Sequence, residues 1–181
     1  MAQESWEQKL DSIAADIARV LQAENRKCVF AESCTGGKMA AAMTTVPGIS
    51  QFFCGSAVTY REDTKTQWLS VSESELAEHT AVSRFTTTKM AKSVLKKTPE
   101  ADFAVAITGH LGPGVDEEID GMIFIAVVGQ SEPTMTEPTM TDARLQSPDR
   151  KSRQAEAAFV ALNVFLSSIS SDERYNQVRP S

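Results

Sequence analysis

The sequence predicts an α/β domain in which helices cover both faces of a central, mostly parallel or mixed sheet, a three-layer α/β/α arrangement. Residues 28–31, 102–108 and 122–128 form short and almost wholly apolar runs. Runs of this length and composition are typical of strands that are buried on both faces. Segments with helical periodicity separate the runs, as in layered α/β domains. We expect this single domain to span residues 1–169.

The first half of the chain is predicted to contain two helices, two strands and a short helical segment. The first helix is indicated by apolar side chains that recur on one face, at Trp6, Leu10, Ile13, Ala14, Ile17 and Leu21. The run at 28–31 is the first strand, and the polar turn of residues 32–37 connects it to a helix over 38–44. Residues 55–60 are interpreted as a second strand, followed by one or two helical turns over 63–69.

Capping residues and periodicity place the helices of the second half. Ser72 and Glu75 have the spacing of a capping box at the start of a short helix. Ser83 can cap a longer helix over 84–97. The final helix is marked by apolar residues on one face, at Ala158, Ala161, Leu162, Phe165 and Ile169.

The remaining segments are predicted to lie outside the layered core. A tandem EPTMT pentapeptide occupies residues 132–141. Two copies are too few for a repeat architecture, so we expect an extended hairpin excursion over residues 130–141. Residues 170–181 are polar and are expected to form a C-terminal tail.

Composition excludes several functional classes. The chain has 181 residues with 41% hydrophobic residues and a formal net charge of −6, which is typical of a soluble globular domain. An acidic chain has no general attraction for the phosphates of nucleic acids or lipids, so we expect neither nucleic-acid nor membrane binding. Three cysteines without a CxxC pair indicate neither a disulfide framework nor a metal site. We expect a cytoplasmic protein, because no signal peptide is visible.

The turn of residues 32–37 is the most informative stretch for function. A strand–turn–helix of this kind leaves the first helical N–H groups facing open space. Gly36 and Gly37 allow a ligand to approach the backbone closely. A P-loop does not fit, because Glu32 stands at its first glycine position and Met39 follows Lys38. The turn either binds a ligand or simply connects the strand to the helix.

Two further loops can reach the same edge of the sheet. Tyr60 and Lys65 follow the second strand, at the edge where open α/β sheets build their sites. An exposed lysine there serves solubility, but a desolvated lysine beside Ser33 can activate the serine as a nucleophile. The glycine-rich loop of residues 108–114 is either a tight turn or a second wall of the pocket. The cations of residues 150–153 either hold a phosphate or begin a solvated helix.

Four motifs, in their order and spacing, resemble the CinA C-terminal domain family. They are Ala31-Glu32-Ser33-Cys34-Thr35-Gly36-Gly37, Thr59-Tyr60 with Lys65, Ala81-Val82-Ser83, and Thr108-Gly109 with Gly112-Pro113. The similarity extends from about residue 8 to residue 166. The resemblance implies an α/β/α domain, a homo-oligomer and a small-molecule nucleotide substrate. It also implies hydrolysis of the carboxamide of nicotinamide mononucleotide to nicotinic acid mononucleotide and ammonia, without a metal or cofactor.

The resemblance also implies roles for individual residues. Ser33 matches the nucleophile, and Lys65 and Tyr60 match the groups that activate it. Residues that match the substrate-binding turn, the opposite loop and the arginine at the start of the final helix are Thr35, Gly36, Gly37, Thr108, Gly109, Gly112 and Arg150. We expect the backbone N–H groups of residues 34–37 to stabilise the oxyanion that forms during amide hydrolysis.

The chain departs from the family pattern in two loops. Asp63 stands where the family has a neutral amide, and its charge is expected to favour the protonated form of Lys65. In the third loop, His110 and Leu111 interrupt the family pattern, and residues 115–120 form a shorter, acidic segment. Clustered changes around one pocket predict altered or lost activity.

Two alternative functions follow from these residues. Arg153 lies one residue closer to Arg150 than the family pattern has it, which adds to the departures. The first alternative is therefore a family member that binds a nucleotide or acts structurally without hydrolysis. In the second, the thiol of Cys34 at the helix N-terminus is the reactive group in place of Ser33.

Overall fold

A central sheet with a helical layer on each face forms the fold. The computed structural model describes residues 4–131 and 134–170. Its helices are α1 (Trp6–Glu24), α2 (Lys38–Thr44), α3 (Glu62–Leu69), α4 (Glu73–His79), α5 (Arg84–Lys97) and α6 (Arg150–Ile169). Its strands are β1 (Cys28–Glu32), β2 (Phe53–Val58), β3 (Phe103–Gly109), β4 (Met122–Ser131), β5 (Thr134–Met135) and β6 (Thr139–Arg144), and a 3₁₀ turn spans Ile49–Gln51.

The sheet is mixed. Its strand order is β2-β1-β3-β4, with β5 and β6 pairing with different parts of β4. Strand β1 runs parallel to both β2 and β3, whereas β4 is antiparallel to β3. The carboxyl ends of β1, β2 and β3 therefore lie at one edge, where α/β domains build their sites. The predicted central sheet is confirmed in its mixed form.

Helices cover both faces because the central strands are apolar on both sides. In β1, Cys28 and Phe30 belong to the core beneath α1, α2 and α6. Val29 and Ala31 alternate with them and belong to the second core, which includes buried residues of α4 and α5. This alternation explains why a single strand can be apolar throughout. The predicted three-layer α/β/α architecture is confirmed.

Local signals set the helix starts. The side chain of Ser72 accepts from the backbone N–H of Glu75, and the Glu75 carboxylate accepts from the backbone N–H of Ser72, as the capping box predicts. Ser83 caps α5 by accepting from the N–H of Thr86. Asp149 caps α6 in the same way through Ser152, although the sequence reasoning did not single it out. Within the described residues, no helix is both long and apolar enough to cross a membrane.

Within the segment predicted as an excursion over residues 130–141, the described residues 134–136 pair with the end of β4. Gln130 pairs with Met135, and the backbone of Thr136 donates to the carbonyl of Gly129. The chain then enters β6, which pairs with the first part of β4. Residues 132 and 133 of the repeat lie outside the described residues, as do residues 171–181 of the predicted polar tail.

Candidate active site

A serine and a lysine from different loops meet at the carboxyl edge of the parallel strands. Ser33 follows β1, and Lys65 lies in α3, which begins shortly after β2. The Nζ atom of Lys65 is 3.0 Å from Ser33 Oγ and donates to the carbonyl of Thr59 at 2.7 Å. Lys65 is 1% exposed and Ser33 is 7% exposed. The structure therefore places a desolvated amine against a nearly buried hydroxyl, the arrangement that can activate a serine.

Burial controls the electrostatics of this pair. It lowers the pKa of the Lys65 amine from its ordinary value, because a charged ammonium is poorly solvated there. The negative charges of Cys34 and Glu62 oppose this change. The Cys34 contribution requires a thiolate, and burial raises the pKa of this thiol to about 12. Glu62 is therefore the neighbour whose charge opposes the lowering of the Lys65 pKa when Cys34 is a neutral thiol.

The prediction that the Asp63 charge favours the protonated form of Lys65 is wrong. The Asp63 carboxylate accepts from Arg61 Nε at 3.0 Å, and this bond lowers the pKa of the Asp63 carboxyl group. Both side chains lie at the surface. The first turn of α3 directs Asp63 outward and Lys65 inward, since residues two apart do not share a helix face. This departure from the family pattern does not protonate the lysine.

The turn after β1 is stabilised by the preceding Glu32, which is fully buried. Gly37 donates its N–H to this carboxylate at 3.0 Å, and Gly36 donates its N–H to the carbonyl of Ser33 at 3.1 Å. The predicted role of the 34–37 N–H groups in stabilising the oxyanion is therefore wrong for Gly36 and Gly37, whose N–H groups are bonded within the protein. Within the described residues, the N–H groups of Cys34 and Thr35 have no acceptor in another residue. These two are the candidate oxyanion donors.

Thr35, Gly36 and Gly37 shape this turn in different ways. The Thr35 side chain is buried and donates to Glu32 at 2.8 Å, so its hydroxyl is used within the protein. Gly36 and Gly37 have φ values of +61° and +95°, which glycine adopts without strain. A Cβ atom on Gly36 would also lie 2.9 Å from Gln154 Nε2. Gln154 lies one helical turn beyond Arg150 and was missed by the sequence reasoning.

Arg150 is hydrogen-bonded to both Tyr60 and Gly112, and these three residues are called the rim. Arg150 Nη2 donates to the Tyr60 hydroxyl at 2.8 Å, and Nη1 donates to the Gly112 carbonyl. Tyr60 is 56% exposed. Within the described part of the chain, its hydroxyl has no hydrogen bond to Ser33 or Lys65. The structure thus places Tyr60 with the substrate-binding candidates and not beside the serine.

The opposite loop packs tightly against the serine turn. Thr108 is fully buried, and its hydroxyl bonds to that of Thr87 at 2.7 Å. Because Thr87 donates to the carbonyl of Ser83, Thr108 acts as the donor in this pair. A Cβ atom on Gly109 would lie 2.6 Å from Ile123 Cγ2 and 3.1 Å from Cys34 Sγ. Thr108 and Gly109 therefore hold the loop in place through packing within the protein.

The acidic segment of residues 115–120 is held by arginines. Arg153 Nη1 lies 2.8 Å from both carboxylate oxygens of Asp120. Arg144 donates to the carbonyls of Glu117 and Asp120 at 3.1 and 3.0 Å. The shifted Arg153 therefore binds the acidic loop through Asp120. Arg150 bonds instead to Tyr60 and Gly112. In the described residues, no group of three or more His, Cys, Asp and Glu side chains is placed to hold a metal ion.

The thiol of Cys34 is poorly suited to be the nucleophile. It is 4% exposed, and burial raises its pKa to about 12. A nucleophilic cysteine requires a substantial thiolate fraction near neutral pH. The buried environment favours the neutral thiol and, at the same place, the neutral amine of Lys65. The geometry therefore favours Ser33.

The fold and the site together define a class of protein: a three-layer α/β/α domain with a buried serine–lysine pair where parallel strands end. The family model of the CinA C-terminal domain matches residues 10–169, and the chain belongs to this family. The predicted family membership is thereby confirmed.

Relatives and solved structures agree with this assignment. A CinA-like protein of Prochlorococcus marinus is 34% identical over 161 residues, which cover 88% of this chain and 36% of the relative. A CinA-like protein of Myxococcus xanthus is 37% identical over 129 residues, or 70% of this chain and 30% of the relative. The chain thus spans about a third of these curated relatives.

Two solved structures cover nearly the whole chain. The competence damage-inducible protein A from Klebsiella pneumoniae has a TM-score of 0.81 and 27% identity, covering 90% of this chain and 98% of that one. The competence/damage inducible protein CihA from Agrobacterium tumefaciens has a TM-score of 0.80 and 28% identity, covering 98% of this chain and 100% of that one. The α/β/α fold is therefore shared with domains of this family.

Proposed function

We propose that this domain hydrolyses the carboxamide of nicotinamide mononucleotide, or of a closely related pyridine nucleotide, to the acid and ammonia. The observation that carries the proposal is the buried Lys65–Ser33 contact of 3.0 Å. Burial lowers the pKa of Lys65, which increases the fraction of neutral amine, and a serine next to a neutral amine is a nucleophile that suits acyl transfer.

The proposed reaction proceeds through an acyl-enzyme. Neutral Lys65 accepts the proton of Ser33 as Oγ bonds to the carboxamide carbon and the C=O electron pair moves to oxygen. When this oxyanion collapses, the C–N bond breaks and Lys65 returns the proton to nitrogen, so ammonia leaves. Water then attacks the ester while Lys65 accepts its proton. On the second collapse that proton returns to Ser33 Oγ, and the carboxylic acid is released.

The N–H groups of Cys34 and Thr35 support the oxyanion step. They follow the nucleophile directly, and no other described residue accepts from them. A donor of this kind contributes roughly 3–4 kcal/mol to transition-state stabilisation in related acyl transfer. The two amides belong to a turn that is held from within by Glu32, so they need no reorganisation as the charge develops.

The rim supports a substrate that carries a phosphate. The chain is acidic overall, with a formal net charge of −6, so an anionic substrate must be attracted by local cations. Arg150 supplies one, its guanidinium is held by bonds to Tyr60 and Gly112, and its charge acts on Cys34 next to the serine. We assign the phosphate to this rim, where the free-energy cost of desolvating an anion is small.

Ammonia release from the purified protein tests the proposal. The expected result is stoichiometric formation of nicotinic acid mononucleotide and ammonia, with an active family member as the positive control. Absence of turnover, with the control active, would sink the proposed reaction. Calorimetric titration with the substrate then examines the alternative. Binding without hydrolysis would identify a nucleotide-binding homologue. The observation that favours this alternative is the acidic segment of residues 115–120 beside the rim.

We expect Glu62→Gln to move the rising limb of the pH–kcat/KM profile to lower pH. Only the neutral amine of Lys65 accepts a proton, so activity rises as the pH increases through the pKa of Lys65. The Glu62 charge raises that pKa, and its removal lowers it. The profile is measured at low ionic strength, because salt screens this exposed charge.

Asp63→Asn is the matched control for this experiment. It removes the same charge one residue away, where Arg61 already neutralises it. We expect its profile to coincide with that of the unmodified protein. A shift with Asp63→Asn but not with Glu62→Gln would show that the assigned neighbours of Lys65 are incorrect.

A further inference from the structure

We propose that Glu32 is a positioning residue of this site: its buried carboxylate takes the place of a ligand anion at the start of α2 and holds the serine turn in its reactive shape. The inference rests on the proposed function, because it assigns Glu32 a role in presenting Ser33 to Lys65. A substrate phosphate is excluded from the start of α2 because Glu32 already fills that place.

The Glu32 side chain accepts five hydrogen bonds and is fully buried. Its Oε2 atom accepts from Thr35 Oγ1 at 2.8 Å, Gly37 N at 3.0 Å and Met39 N at 3.1 Å. Its Oε1 atom accepts from Ala40 N at 3.0 Å and Ser56 Oγ at 2.9 Å. Three of these donors are backbone N–H groups, which can only donate. Both oxygens are therefore needed as acceptors.

The backbone of Glu32 is fixed as firmly as its side chain. It lies in β1 between β2 and β3, and its carbonyl accepts from the N–H of Thr59 at 2.8 Å. The next residue, Ser33, donates its N–H to the carbonyl of Ile107 at 3.2 Å. Ser33 is thus bounded by a clamped strand on one side and by a turn tied to the Glu32 side chain on the other.

Both members of the reactive pair, Ser33 and Lys65, are connected to Glu32. Ser33 is joined to it by a peptide bond, and Lys65 is joined to it through Thr59. The N–H of Thr59 bonds to the Glu32 carbonyl, while the Thr59 carbonyl accepts from Lys65 Nζ at 2.7 Å. A change in the Glu32 side chain would loosen the turn while the strand contacts persist. The Ser33–Lys65 distance and the open N–H groups of Cys34 and Thr35 would change together.

Glu32→Gln is the primary test. The carboxamide has one oxygen, so its NH₂ group must face at least one backbone N–H that requires an acceptor. We expect kcat to fall by about 10²-fold, as a displacement of about 1 Å can cause, with KM nearly unchanged. A fall in stability with kcat retained would overturn the inference, because it would make Glu32 merely structural.

Glu156→Gln is the matched control. Glu156 is also buried, and its two oxygens accept from the N–H groups of Gln146 and Ser147 at 2.9 and 2.8 Å. Among the described residues, Glu156 has no hydrogen bond to the serine turn. We expect a comparable loss of thermal stability with kcat close to that of the unmodified protein. If both variants lose kcat equally, the effect of Glu32 follows from destabilisation alone, and the inference fails.

A fluorophosphonate probe separates this inference from the choice of substrate. Ser33 Oγ bonds to phosphorus, the P–F bond breaks, fluoride leaves, and Lys65 accepts the serine proton. If the unmodified protein is labelled at Ser33 but releases no ammonia, the proposed function fails, and slower labelling of Glu32→Gln still supports positioning. Equal labelling rates in the two proteins overturn the inference while leaving the function intact. Absence of both labelling and turnover in the unmodified protein overturns both.

Ser56→Ala provides the same test if Glu32→Gln does not fold. It removes one of the five hydrogen bonds and leaves the carboxylate in place. We expect a smaller but measurable decrease in both kcat and labelling rate, with melting behaviour like that of the unmodified protein. Unchanged kcat and labelling in a folded Ser56→Ala protein would count against the positioning role.

Discussion

Replacing Ser33 with alanine is expected to reduce kcat by at least about 10⁴-fold, which is typical when a nucleophile is lost from a cooperating catalytic group. The attacking oxygen is absent in this variant, so the acyl-enzyme cannot form. The binding surface stays intact, because Arg150 and the rim are unaffected. Substrate affinity, measured by calorimetry, is therefore expected to remain near that of the unmodified protein.

Stability separates this result from unfolding. Ser33 lies in the turn after β1 and not within a core layer, so the melting temperature of Ser33→Ala is expected to change little. Ser93→Ala, a serine in α5 outside the site, is the matched control and should retain full activity. If Ser33→Ala keeps most of the rate, the nucleophile is misassigned, and Cys34, Thr35 or an activated water becomes the candidate.

Lys65→Met is expected to lower kcat by about 10²–10⁴-fold, the range for removal of a general base. Methionine is similar in length and suits the buried site better than a charged amine, but it cannot accept the serine proton. The bond to the Thr59 carbonyl is lost as well. The pH profile of the remaining activity should lack the rising limb that is assigned to Lys65. Persistence of that limb would contradict the assignment of the base.

Lys92→Met and the double variant complete this test. Lys92 is exposed on α5, and its replacement is expected to leave both rate and pH profile unchanged. The Ser33→Ala/Lys65→Met protein should be no slower than the slower single variant, because residues that act as a unit are strongly non-additive. Multiplicative losses would show that the two side chains act in separate steps.

The local features of the fold could be predicted from the sequence. The apolar runs near residues 28–31, 102–108 and 122–128 became central strands, since continuous apolarity is required wherever both faces are covered. Ser72 and Ser83 marked helix starts, since capping depends on residues only three apart. Strand β2 begins and ends earlier in the chain than the predicted strand over residues 55–60, because its half-buried residues give a weaker pattern than those of a central strand.

The candidate residues were also identifiable, but their relations were not. Spacing and resemblance drew attention to Ser33 and Lys65 without indicating that their polar atoms lie 3.0 Å apart. The inference for Asp63 failed because a sequence position does not reveal the direction of a side chain. Its partner Arg61 lies two residues away, and that contact could have been anticipated.

Only the tertiary structure decided what burial does to the charged groups. Glu32 is a glutamate at the end of an apolar strand, which was a usable signal, but its five donors come from the turn, α2 and β2. Arg153 and Asp120 become partners although 33 residues separate them, and Arg150 reaches Tyr60 across 90 residues. The sequence by itself determined the layered fold and the residue types available at its carboxyl edge. The packing of distant segments determined which polar groups are paired and which remain available for chemistry, because desolvation and hydrogen bonding depend on three-dimensional neighbours.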